Sequence, residues 1–174
     1  KGTHGAVDCL RKNIREISCS NNSFYLKLDI SSFFRSINKQ ILFDLIEKRI
    51  NKHLSFSGDK DWHKDILWLT RKIIFHDPCK NFIYRGSVDL KKLIPKNKSL
   101  FYSQGNGLPI GNLTSQFFAN IYLNELDHFV KDELFCERYL RYVDDFIILD
   151  TNKNNLRALV LIIDDFLKTR LNLR

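Results

Sequence analysis

The stretch Arg141–Leu149, RYVDDFIIL, sets two carboxylates side by side and runs on into an apolar segment patterned like a strand. Adjacent carboxylates repel, and left unpaired they push one pKa upward and cost stability. A divalent cation removes that cost. A tight turn between two strand-like runs would expose Asp144 and Asp145 at the end of a sheet, open to such an ion. The other clear strand, FYLKLDI, carries Asp29 near its tip. If the two strands are neighbours, Asp29 converges with the doublet, as two hard ions about 3.5–4 Å apart require. Such a site binds phosphate oxygens, activates a hydroxyl and stabilises a leaving group, which is the chemistry of nucleotidyl transfer. A second doublet, Asp164-Asp165, falls on a helical pattern and reads as a solvated face.

Working outward, THGAVDCLRKNIREI has Ala6, Val7, Leu10, Ile14 and Ile17 at helical spacing, with Thr3 placed to cap the start. Helices are expected from Asn38 to about Asn51 and from Asp61 to about Phe75, the latter with Trp62, Ile66, Leu69 and Ile73 on one face. IYRGS has the composition of a small hairpin. The loop SQGNGLPIGN leads into a helix from about Leu113 to Leu134. Strand, turn and strand follow in ERYLRYVDDFIILD. A last helix, about Asn154 to Arg170, puts Leu156, Leu159, Val160, Ile163, Phe166 and Leu167 on one side. This order predicts an α+β domain, an antiparallel sheet with helices packed on one face.

At 174 residues the chain has the size of one domain, able to bury roughly 70% of the surface its unfolded form exposes. With 44% hydrophobic, 13% aromatic and 28% charged residues it is globular rather than disordered or fibrous. No apolar run approaches the ~18 residues of a membrane span and no signal peptide opens the chain, so no membrane partner and a cytoplasmic location are expected. The chain begins at Lys1 without any Met and stops just after LVLIIDDFLKTR, as a piece of a longer protein would. Cys9, Cys19, Cys79 and Cys136 are scattered singly, with no CxxC pair, and read as reduced, mostly buried thiols. Of the net charge of +8, most lies in residues 47–98, where 13 Lys/Arg face 6 Asp/Glu. That field suits a polyanion, or else a solvated Lys-rich surface.

YVDD between apolar residues, KLDISSFFRSI upstream and GLPIGNLTSQFFANIYLNELD between them resemble, in order, three motifs of the reverse transcriptase palm. KGTHGAV is similar to the end of the fingers region that precedes the first palm strand. The resemblance implies a polymerase palm with a ferredoxin/RRM-like core: residues 1–22 end the fingers, and residues 23–174 form the palm with a basic insert at about 47–98. The rest of the fingers and the thumb are absent, so the fragment alone is expected to be inactive. It further implies RNA-directed DNA synthesis with Mg²⁺, or Mn²⁺ in its place, held by Asp29, Asp144, Asp145 and the carbonyl of Ile30. Phe34 falls where the family places the aromatic that blocks a ribose 2′-hydroxyl. Gly107, Pro109, Ile110, Gly111 and Gln116 belong to the loop and helix start lying against the incoming dNTP. Tyr142 and Val143, with Arg85, Lys91, Lys92, Lys96 and Lys98 as a group, are the expected contacts to the RNA template and the DNA or RNA primer.

The chain departs from the usual family pattern at Ile110-Gly111 and Ser115-Gln116, where most members carry Gln-Gly and Ser-Pro. The aliphatic form resembles the reverse transcriptases of diversity-generating retroelements, error-prone at template adenines and associated with a small basic accessory protein. Group II intron, retron and phage-defence enzymes remain open within the class. A catalytically idle RNA-binding palm and a cyclase on a similar palm are the readings from other classes. Ile110 has no donor or acceptor where Gln has both. Losing a hydrogen bond of ~1 kcal/mol would weaken discrimination several-fold; simple packing is the alternative role for Ile110.

Overall fold

A computed structural model of the chain describes residues 2–19, 22–57, 61–80, 83, 85–87, 89–90, 93, 95 and 105–174. In chain order the elements are α1 (Gly2–Ser18), β1 (Phe24–Leu28), α2 (Phe33–Ser36), α3 (Lys39–Ser57), α4 (Asp61–Phe75), α5 (Leu113–His128), a π-helical turn (Phe129–Glu133), β2 (Tyr139–Tyr142), β3 (Asp145–Asp150) and α6 (Lys153–Leu171). They form two compact units, one of Lys1–Ser31 with Leu123–Arg174, the other of Ser32–Tyr122.

The first unit holds the three-stranded sheet, ordered β1-β3-β2 and antiparallel throughout. The period-two pattern of β3 buries Phe146 and Ile148, which pair with Leu28 and Leu26 of β1. Tyr25 and Lys27 point the other way and are exposed. α6 buries Leu156, Leu159, Ile163, Leu167 and Leu171, a three-or-four-residue spacing that forms one apolar stripe. Each such side chain contributes about 1.5–3 kcal/mol. Asn152 caps α6 by accepting from the backbone N–H groups of Asn154 and Asn155. Asn172, in the left-handed conformation, ends it. The chain then returns to the segment just past β1, where Ser31 N donates to the Arg174 carbonyl at 2.9 Å. The helix expected to reach Leu134 changes to π geometry after His128, and within that wider turn Phe129 stacks on Phe166 at 4.0 Å. α1 begins at Gly2, so Thr3 lies inside its first turn and not at the cap.

The elements described in the second unit are helices. Asn38 Oδ1 accepts from Gln40 N and Ile41 N and starts α3. Phe33, Ile37, Leu42, Ile74, Leu108 and Tyr122 are its most buried large side chains. α4 has the bounds its periodicity predicts, and Trp62, Ile66, Leu69 and Ile73 do share a face. That face is solvent-exposed; His63, Thr70 and Ile74 are the buried positions. In IYRGS, Ile83 and Arg85–Ser87 are not in a strand, and Tyr84 lies outside the described residues.

The cysteines correct an expectation. All four are free, but Cys9 and Cys19 are exposed and Cys79 and Cys136 only half-buried. Cys9 lies on the outward side of α1, and Cys19 just past its end. Among the described residues no helix is long and apolar enough to cross a membrane.

Candidate active site

The hairpin β2–β3 turns through Val143 and Asp144, two residues between Tyr142 and Asp145, which pair with each other. Val143 has φ +57°. A β-branched residue there is a genuine outlier, because two-residue hairpin turns normally take glycine or asparagine at positive φ. Such strain costs on the order of 1–3 kcal/mol and persists only where the surroundings over-determine it.

The surroundings here are a polar network that sequence reasoning missed. Arg141 donates from Nε to Asp127 Oδ1 at 2.7 Å and from Nη2 to Oδ2 at 2.6 Å, while Nη1 donates to the Val143 carbonyl at 2.8 Å. The Tyr139 hydroxyl donates to the same Asp127 at 2.8 Å. The pair is mostly buried, its side chains 11% and 24% exposed. Burial alone would lower the Arg141 pKa, but hydrogen bonding and charge from Asp127 outweigh it and hold the guanidinium above its usual range. Burial first, then Asp127, pushes the Tyr139 phenol well upward, so it stays a donor. The available signal was the charged Asp127 and Arg141 set among apolar residues in NELD and RYVDD, where an unpaired buried charge would be prohibitive.

β1 and β3 are neighbours, and their last paired residues are Leu28 and Phe146. One step further, the register sets Asp29 opposite Asp145, with Asp144 in the adjoining turn. Asp29 is exposed and the doublet half-exposed, so hard oxygen donors face solvent at one end of the sheet, which suits Mg²⁺ or Mn²⁺. The side chains are not gathered around one point: among the described residues no three acidic, His or Cys side chains stand close enough to hold one ion. Lys27 Nζ lies 3.3 Å from Asp145 Oδ1. The register thus brings the three aspartates to one end of the sheet, with Asp145 paired to Lys27. Ile30 is buried, at 1% exposure, which anchors the chain just beyond Asp29.

In the second unit the structure brings together two segments about seventy residues apart. Leu108 N donates to the Phe34 carbonyl at 2.7 Å and Gly107 N to the Ile37 carbonyl at 2.8 Å. Gly107 has φ +85°, and a Cβ there would sit 2.6 Å from the Arg35 carbonyl oxygen, so only glycine allows this approach. Phe33 is core at 2% exposure and packs edge-on to Phe34, which stays half-buried. Pro109 is half-buried and Gln116 exposed in the first turn of α5. Gly111 has φ +99° in open space. Ile110 is 81% exposed, so it packs little against the described residues.

Tyr142 is 58% exposed beside the strained turn. Arg85 is exposed, and Lys91, Lys92, Lys96 and Lys98 lie outside the described residues.

The family model for reverse transcriptase (RNA-dependent DNA polymerase) matches residues 7–174. The chain is also 28% identical over 155 residues to the Retron Ec73 reverse transcriptase of Escherichia coli, an alignment covering 86% of this chain and 39% of that protein. The chain thus spans well under half the length of this curated relative. With the match running from α1 through α6, the chain belongs to the reverse transcriptase family.

Proposed function

We propose that this chain is the palm of an RNA-directed DNA polymerase that makes cDNA by two-metal nucleotidyl transfer, of the error-prone diversity-generating type. The observation that carries the reading is the β1–β3 register, which brings Asp29 to the end of the sheet where the Asp144-Asp145 doublet turns. Asp29, Asp144 and Asp145, with the Ile30 carbonyl, would hold Mg²⁺ or Mn²⁺. Bound there, the cations lower the pKa of a primer 3′-hydroxyl and offset charge on the phosphates. The chain's own residues supply the rest: the Arg141–Asp127 pair fixes the turn, and Ile30 fixes the backbone next to Asp29. Phe34 excludes a ribose 2′-hydroxyl by bulk, and Gly107, Pro109, Ile110, Gly111 and Gln116 meet the incoming dNTP. Tyr142, Val143, Arg85 and the lysines of the basic insert contact the RNA template and the DNA or RNA primer.

Residues 1–22 then close the fingers and 23–174 form the palm of a longer, cytoplasmic enzyme, with a small basic accessory protein as a further partner. The likeness to a retron reverse transcriptase favours a second reading within the class, a retron enzyme. The Ile110-Gly111 and Ser115-Gln116 forms support the first. Primer extension on an RNA template by the full-length protein, followed by sequencing of the product, separates them. Errors concentrated at template adenines are expected of the diversity-generating type, and an even, low error spectrum contradicts it. No extension at all, with Mg²⁺ or Mn²⁺ present, would leave an RNA-binding scaffold.

A further inference from the structure

The outward side of α4 carries a second surface besides its apolar one. Lys64, Trp68 and Lys72 follow one another at intervals of four and so stand in one row along the helix, and Arg71 and Phe75 form the row beside it. Trp68 is 63% exposed, and the three cations are exposed with it. Rings and cations share one layer: Lys72 Nζ lies 5.8 Å over the Trp68 ring, and the Arg71 guanidinium 5.3 Å over the Phe43 and Phe75 rings. Lys12, Lys27, Lys80 and Lys168 each pair with a carboxylate, whereas among the described residues Lys64, Arg71 and Lys72 pair with none.

We propose that Lys64, Trp68, Arg71 and Lys72 form a platform for single-stranded nucleic acid, an unpaired base stacking on the Trp68 ring while the flanking phosphates meet the cations. The inference rests on the nucleic-acid binding proposed above and gives it a named surface, with an unpaired stretch of template RNA as the occupant. Charge selects a polyanion: the two rows hold no carboxylate, and Asp65 stands on the row beyond, with Leu69 and Ile73. The indole selects a single strand. In a duplex each base is already stacked on both faces, whereas an unpaired base offers its face to an aromatic ring, whatever its sequence. An arriving base displaces the Lys72 ammonium from the ring, and the ammonium then meets the neighbouring phosphate. Arg71 rests on rings that use none of its N–H donors, so its fork stays available to a second phosphate.

Fluorescence anisotropy of labelled oligouridine RNA with the purified 174-residue chain, under a chelator that keeps divalent cations out, tests this. Trp68→Ala should weaken binding about tenfold or more, and Trp68→Phe, which keeps a flat ring, by no more than about threefold. Lys64→Gln and Lys72→Gln should each lower the slope of log affinity against log salt by about 0.7, as the loss of one phosphate contact does on a single strand. A blunt RNA duplex should bind the parent and Trp68→Ala equally, and the circular dichroism spectrum should not change, since Trp68 is exposed. A chain that does not bind oligouridine, binding indifferent to Trp68→Ala, an equal loss on the duplex, or Trp68-dependent attachment to phosphatidylglycerol vesicles with none to RNA would each overturn the proposal. Primer extension by the full-length protein reads the polymerase separately: an inactive enzyme that still binds oligouridine through Trp68 counts against that activity and leaves the platform standing.

Discussion

Arg141 ties the carboxylate of Asp127 to the backbone carbonyl of Val143, and so holds in place the turn from which Asp144 projects. Removing one member of a buried pair leaves the other charge without compensation, at about 3–5 kcal/mol. Asp127→Ala is therefore expected to destabilise the chain by that order in urea unfolding. Arg141→Lys keeps the charge but loses the fork, and should fall between it and the parent. A cost below about 1 kcal/mol for Asp127→Ala would mean the pair behaves as a surface ion pair.

Phe33 and Phe34 are adjacent yet separable by experiment. Phe33→Ala empties a core position and should cost about 3–5 kcal/mol of stability. Phe34→Ala, at a half-buried site, should cost less and instead raise incorporation of ribonucleotides by the full-length enzyme. Equal discrimination against ribonucleotides in the parent and in Phe34→Ala would remove the gate.

The two loop glycines differ in what surrounds them. Gly107→Ala meets both a positive φ and the Arg35 backbone, whereas Gly111→Ala meets only the φ strain. Both should destabilise by more than about 1 kcal/mol, with Gly107→Ala the more severe. Thermal unfolding of the two variants would reveal the order.

Ile110→Gln restores a donor and an acceptor at an exposed position, and should lower misincorporation opposite template adenine several-fold in the full-length enzyme. An unchanged error spectrum, read by sequencing the product, would show that Ile110 does not set fidelity.

The elements were largely legible because their periodicities are strong. α4 was readable in its bounds, and the apolar run FIIL marked β3 as a strand without showing which side it buries. What periodicity cannot give is which face a helix turns inward when apolar residues lie on more than one side, and α4 buries His63 and Thr70 while exposing Trp62 and Leu69. The placement of Asp29, Asp144 and Asp145 at one end of the sheet was legible from their strand-tip positions. The Asp127–Arg141 pair was not, since it joins a helix to a strand across tertiary space, and neither was the positive φ of Val143, which opposes that residue's own preference.

The central claim is that Asp29, Asp144 and Asp145 share one cation site, with Lys27 as the competing charge at Asp145. Titration of the 174-residue chain with Mn²⁺, followed by electron paramagnetic resonance, tests it most directly. Asp29→Asn and Asp144→Asn should each weaken binding about tenfold or more, a loss of at least about 1.4 kcal/mol. Lys27→Ala should tighten it while changing stability by no more than about 1 kcal/mol, as befits an exposed pair. Mn²⁺ binding that survives Asp29→Asn undiminished would contradict a site shared between the two strands.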